Sequence, residues 1–333
     1  MSARSSEDPC RPTEERPGPF FVVGVPRSGT TLLTMLLNAH SRIAVAPETH
    51  YFNRLWKKCS PRCMRSKRGV GRYLDLVFGS MLPRDLGLGA DELATIREDI
   101  ESTDPPSHRV ILDALLSSYA RARDADIWGE KTPLHVNYVS AIRAEFPDAP
   151  IIHVIRDPRD ILASLQSVPW ARRGRLYYVA WWRRCARIAD HVIQPPVGGY
   201  LEVRYEDLLS RPEATVRAMC RIVGVDFEST MLEYHTRSER PSDVASEFWK
   251  SKNLDPIDPG NTGKWKSRLT TAEAGMVELV AGRQMRSKGY DTSRARCAAS
   301  MGLLAYCVVE YVFAGLRHYL QRGWSRLALG RQA

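Results

Sequence analysis

Short, almost wholly apolar runs alternate along this chain with longer stretches in which apolar residues recur every three or four positions. FFVVGV (20–25), DIWGE (126–130), PIIHVI (150–155) and YLEVRY (200–205) predict strands. TTLLTMLLNAH (30–40), HVNYVSAIRAEF (135–146), RDILASLQ (159–166), LYYVAWWRRCARIADHVI (176–193) and PEATVRAMCRIVG (212–224) have the spacing of amphipathic helices. β-Branched strands separated by helices imply an α/β fold: a three-layer, doubly wound, mostly parallel sheet covered on both faces. Ligands of such folds sit beyond the carboxyl ends of the strands. The stretch 54–125 lacks a strong strand and reads as a helical insertion. Residues 238–268, rich in Pro, Asp, Ser and Lys without periodicity, read as a long loop of the kind that forms functional lids.

The chain has 333 residues, enough for a substantial core. Residues 1–18 are polar and Pro-rich and read as a disordered leader, the central domain as 19–292, and 293–333 as an extra apolar and basic C-terminal helix. Within that helix, 297–316 carries a single charge, Glu310. Its length matches a bilayer, but a central carboxylate opposes a span. Three readings stay open: packing on the protein or a second copy through 297–320, lying on a membrane surface, or crossing it. Seven scattered cysteines suggest reduced thiols and a cytoplasmic protein; Cys59 and Cys63 without a second pair nearby are a weak zinc signal. A formal net charge of +10 favours anionic partners.

The first strand runs into VPRSGTTLL. Gly24, Gly29 and Thr31 fit the phosphate-loop pattern G-x-x-x-x-G-K-[ST], but Thr30 occupies the lysine position and Arg27 is the cation of the loop. A strand, a Gly-containing turn and a helix start present backbone N–H groups and the positive helix end to an anion, and Ser28, Thr30 and Thr31 add hydroxyls. A second candidate anion site follows PIIHVI. Arg156 offers a bidentate fork, and Ser164, eight residues on, can add a hydroxyl to the same anion.

VPRSGTTLL and HVIRDPRDILAS (153–164) together resemble the 5′-phosphosulfate and 3′-phosphate motifs of sulfotransferases that use 3′-phosphoadenosine-5′-phosphosulfate (PAPS). WGEKTPLH (128–135) is similar to the family's strand-end lysine motif, which implies that Lys131 reaches the transferring sulfonate. VRYEDLL resembles the segment whose tyrosine, here Tyr205, lies near adenine. NTGKWKSRL (261–269) is similar to the segment that closes over the nucleotide, implicating Lys264 and Trp265, with Lys266 and Arg268 as further candidates. The resemblance covers roughly residues 20–290. It implies PAPS as donor and no metal.

Sulfonate transfer is an in-line displacement in which charge builds on the bridging oxygen, and Arg27 is placed to stabilise it. The acceptor hydroxyl needs a base. One branch of the family uses a histidine two residues after the motif lysine, where this chain has Pro133. The branch that includes the tyrosylprotein sulfotransferases uses a glutamate, which AVAPETHYF supplies as Glu48; His50 and His135 are the alternates. The acceptor class extends over glycan, glycolipid, phenol or other alcohol. Eight basic and no acidic residues in 54–72, and six arginines among aromatics in the acid-free stretch 161–189, suggest an anionic glycan or lipid headgroup. Two rival readings remain: a P-loop nucleoside or nucleotide kinase, which lacks its lysine here, and a non-enzymatic basic polyanion-binding protein. No groove-reading nucleic-acid motif is present.

Overall fold

The computed structural model describes residues 18–103, 106–169, 171, 173–188, 199–236 and 255–293, with isolated positions between 302 and 312. The leader 1–17, residues 237–254 of the long loop and nearly all of the C-terminal segment lie outside the described residues. Among the described residues no helix is long and apolar enough to cross a membrane.

Five strands form one sheet: β1 (Phe20–Gly24), β2 (Ile43–Ala46), β3 (Ile127–Lys131), β4 (Ile151–Ile155) and β5 (Tyr200–Arg204). Their order is β2-β3-β1-β4-β5 and every pairing is parallel. Residue alternation along β1 explains the layers. Phe21 and Val23 enter a core on one face with Trp128, Phe146 and Ile151, while Phe20 and Val22 enter a second core with Leu33, Leu36 and Ile152. Gly129 in β3 is required by this packing, since a Cβ there would lie 2.5 Å from the Phe20 ring.

Helix α1 (Thr30–Asn38) follows β1, and a helical insertion between β2 and β3 ends in the helix His108–Arg121, which packs on both strands. The other helices close to the expected spans are Val139–Glu145, Pro158–Leu165 and Pro212–Val223. Three details differ from the sequence pattern. Strand β2 was hidden because IAVA is only four residues and buried throughout, which leaves no alternation to read. The stretch 135–146 divides into a tighter 3₁₀ turn, Pro133–Tyr138, and an α-helix, because Pro133 starts the turn. The helix expected over 176–193 runs from Arg175 to Cys185, and 189–193 lie outside the described residues.

The chain leaves β1 toward β3 and β2 and returns to the other side of β1 for β4 and β5. Connections from the middle of the sheet thus diverge, which opens a crevice at the carboxyl ends of β1, β3 and β4.

His153 in β4 is buried, its Nδ1 lies 2.6 Å from the Tyr200 hydroxyl, and burial together with nearby Lys288 lowers its pKa from 6.5 to about 3. Between those values the unfolded chain binds a proton that the folded chain refuses, so stability falls as pH drops below about 6.5, by at most roughly 1.4 kcal/mol per pH unit from this group. Urea unfolding at pH 7.5 and pH 5.0 should show a smaller loss for His153→Gln than for the wild type; equal losses would remove His153 as the source.

Candidate active site

Each strand delivers one candidate residue or turn at its carboxyl end. The turn after β1 is held by geometry that few residues tolerate. Gly29 has φ 101°, and a Cβ on it would lie 2.2 Å from the Tyr205 ring, so both backbone and packing demand glycine. Arg27 also has positive φ, 73°, an uncommon state for a residue with a side chain and one found where surrounding structure overdetermines it. Gly29 caps α1 without any side-chain hydrogen bond. The first N–H groups of the helix therefore face the turn with no side-chain acceptor of their own cap. Ser28 is buried, and its Oγ has no hydrogen-bond partner among the described residues.

Arg156, one residue past β4, lies beside this turn. Its Nη1 donates to the Arg27 carbonyl (3.2 Å), its Nη2 donates to the Asn261 carbonyl (3.1 Å), and its guanidinium lies 4.4 Å from the Tyr205 ring centroid. Its Nε is buried without a partner among the described residues. Arg27 Nε donates to Ser164 Oγ at 3.1 Å, so the loop arginine and the serine of the second motif meet directly. The segment carrying Lys264 and Trp265 is pinned from below: Asp160 accepts the Gly263 N–H (2.7 Å) and the Trp265 N–H (2.8 Å). Asn261 donates to the Tyr205 hydroxyl (2.7 Å) and accepts from Lys264 Nζ (2.5 Å). Trp265 is buried with Arg159 over its ring at 4.1 Å, whereas Lys266 and Arg268 are exposed.

On the other side of β1, Lys131 ends β3 and Glu48 follows β2. Lys131 Nζ donates to Glu48 Oε1 at 3.0 Å; the lysine side chain is 2% exposed and the glutamate 23%. His50 approaches the second carboxylate oxygen at 3.8 Å. Burial and then the Arg54 charge lower the His50 pKa against the opposing pull of Glu48, which favours a neutral ring. His135 is fully buried, with Nδ1 2.8 Å from Glu130 and Nε2 accepting the Phe52 N–H at 3.2 Å. Both ring nitrogens are engaged inside the protein, and Nε2 also lies 3.2 Å from Asn53 Oδ1.

The structure thus brings Arg27, Ser28, Gly29, Thr30, Thr31, Arg156, Ser164, Tyr205 and Lys264 into one neighbourhood, and Glu48 and Lys131 into a pair on the adjacent strands. Sequence reasoning missed Asn261, Asp160, Arg159 and Glu130. RDPRD (156–160) has the look of a solvated charged run, yet Arg156, Asp157, Arg159 and Asp160 are all buried. The one signal available was that these charges sit directly after a wholly apolar strand, where a parallel sheet keeps its ligands.

The profile of the Sulfotransferase family matches residues 19–229. The nodulation protein NoeE of Sinorhizobium fredii is 26% identical over 299 residues, 82% of this chain and 66% of that protein. A protein-tyrosine sulfotransferase of Drosophila melanogaster is 21% identical over 267 residues, 75% of this chain and 47% of that one. Among three curated relatives the chain spans 28% to 66% of the relative's length. The sulfotransferase domain of the Synechococcus PCC 7002 olefin synthase shares the fold, with a TM-score of 0.59 at 22% identity over 85% of this chain and 98% of that domain. The matched profile takes in all five strands and their carboxyl ends from the phosphate turn to Tyr205, and the chain belongs to the sulfotransferase family.

Proposed function

We propose that this chain transfers the sulfonate group of PAPS to a hydroxyl of an acceptor, with Glu48 as general base and Lys131 and Arg27 as the cations of the reaction centre. The observation that carries the reading is the Lys131–Glu48 contact: a buried cation and a carboxylate paired one strand away from a phosphate turn. A kinase would need a lysine in that turn, and Thr30 stands there.

The residues fit a nucleotide bearing phosphates at both ends of its ribose. Ser28 Oγ and Arg156 Nε are buried donors without partners among the described residues, and the start of α1 has no side-chain cap, so an anion at this crevice would satisfy groups whose burial otherwise costs stability. In this reading Ser28, Gly29, Thr30 and Thr31 hold the 5′-phosphosulfate, Arg156 and Ser164 the 3′-phosphate, Tyr205 lies by the adenine, and Lys264 and Trp265 close over the nucleotide. The donor supplies the sulfonate and a phosphate leaving group. Arg27 offsets charge developing on the bridging oxygen, and Lys131 offsets charge on the sulfonate oxygens. Glu48 takes the acceptor proton, and Lys131 beside it keeps the carboxylate ionised until that step.

The acceptor reading rests on charge. All eight cations of 54–72 are exposed, and no ion pair engages any of them among the described residues. Such a field favours acceptors with an anionic group close to the hydroxyl, as on a sulfated or uronic glycan or a lipid headgroup. Phenols also fall within the reading, since the named relatives include protein-tyrosine sulfotransferases.

Glu48→Gln should lower kcat on the order of 10²-fold or more while 3′,5′-adenosine diphosphate still binds; near-normal turnover would exclude Glu48 as base. In thermal-shift titrations, 3′,5′-adenosine diphosphate should stabilise the protein, and Arg156→Lys should weaken that binding about 10- to 100-fold, the range of a lost charged hydrogen bond. Stabilisation by ATP–Mg²⁺ alone would overturn the assignment of the donor. With sulfur-labelled donor, kcat/KM for an anionic acceptor such as heparan should decline as salt rises, and rates indifferent to ionic strength would argue against charge steering.

A further inference from the structure

Of the buried carboxylates outside the chemistry just described, Glu130 lies next to Lys131. Glu130, the penultimate residue of β3, is completely inaccessible, and both of its oxygens are occupied. Oε1 accepts from the Thr49 hydroxyl (2.7 Å) and the Thr132 hydroxyl (2.6 Å), and Oε2 accepts from Nδ1–H of His135 (2.8 Å). Each of these three side chains in turn accepts one backbone N–H from a single segment. His50 N–H donates to Thr132 Oγ1 (3.2 Å), Tyr51 N–H to Thr49 Oγ1 (3.2 Å) and Phe52 N–H to His135 Nε2 (3.2 Å). These are the cap and the first two residues of the helical turn Tyr51–Leu55, whose start has no direct side-chain cap.

Three consecutive donors at a helix start are therefore satisfied by one carboxylate through three relays, two of them hydroxyls and one an imidazole. A negative charge at that place is favoured by the positive end of the turn. Burial opposes ionisation of Glu130, but the pull of the adjoining imidazole and the hydrogen bonds from His135, Thr132 and Thr49 outweigh it and hold the group below the usual glutamate range. The network also explains how His50 keeps a left-handed φ of 51°, since its N–H is tied to Thr132.

The relays flank the reaction centre on both sides. Thr49 follows Glu48, and Thr132 follows Lys131. We infer that Glu130 is a positioning residue: it binds the segment 49–52 to the end of β3 and so sets the carboxylate of Glu48 against the ammonium of Lys131. The inference deepens the proposed reading and rests on it for the roles of Glu48 and Lys131. Every neighbour of Glu130 in this ring donates to it, so the amide of a glutamine would put N–H against a donor, whereas removing one hydroxyl opens one relay.

The test reads position before it reads turnover, in the full chain. Lys131 acylation by acetic anhydride is followed by peptide mass spectrometry, and deuterium exchange is measured at the amides of His50, Tyr51 and Phe52. Glu130→Gln and the milder Thr132→Val should each raise both rates about tenfold or more, the scale of one charged hydrogen bond, with affinity for 3′,5′-adenosine diphosphate within about twofold of wild type. Thr132→Ser, which keeps the hydroxyl, should restore wild-type rates. Unchanged rates, a rise spread evenly over the β1 and β4 amides, or a Thr132→Ser variant that behaves like Thr132→Val would each overturn the inference. Turnover of 4-nitrophenol with labelled donor then separates the two ideas: loss of position with an active Glu48→Gln variant leaves Glu130 as an anchor and removes Glu48 as base.

Discussion

A lysine ammonium that is 2% exposed must keep company with negative charge or give up its proton, and much of this site follows from that constraint at Lys131. Glu48 supplies the charge from a different strand. The pair therefore exists only because β2 and β3 lie side by side in parallel register, with Ala46 opposite Glu130. The lysine ends a strand inside the sheet, and the glutamate, 23% exposed, follows the edge strand β2. That asymmetry suits the proposed roles, one group held and charged, the other able to exchange a proton.

The two sides of the crevice differ in how well their polar groups are satisfied. Around Glu130 every carboxylate oxygen, hydroxyl and imidazole nitrogen has a partner, as expected of a network whose task is to hold a geometry. Around the turn after β1, Ser28 Oγ and Arg156 Nε lack partners among the described residues, Arg27 has a positive φ, and α1 starts without a side-chain cap. Unsatisfied donors and backbone strain cost stability, and proteins keep them where a ligand offsets the cost. The contrast between a closed network on the β3 side and open donors on the β1–β4 side supports an anionic donor at the latter.

Arginines perform two separate tasks here. Arg159 is locked by Asp157 and Glu278 and lies over Trp265, so it braces the helix Pro158–Leu165 against the segment that reaches over the crevice. Arg156, three residues earlier, turns to the other side and joins the Arg27 and Asn261 carbonyls across Tyr205. The same short run thus holds one cation that braces the helix and one beside the turn after β1, because Arg156 lies between β4 and the helix start while Arg159 lies in the first turn of the helix.

From the sequence alone came the alternation of apolar runs, four of the five strands, the Gly-containing turn after β1 and the placement of Lys131, Arg156 and Tyr205 at strand ends. These features are legible because they depend on residues close together in the chain: side-chain periodicity, the glycine of a left-handed turn, a cation just past a strand. Strand β2 escaped because four buried residues carry no period. The burial of RDPRD and the ring around Glu130 escaped for a deeper reason. Whether a charge is solvated or locked depends on partners 80 to 120 positions away, as Thr49 is for Glu130 and Glu278 for Arg159. The order of strands in the sheet brought Thr49 to Glu130 and Glu48 to Lys131, and the packing of the helix Thr271–Ser287 on the helix Pro158–Leu165 brought Glu278 to Arg159.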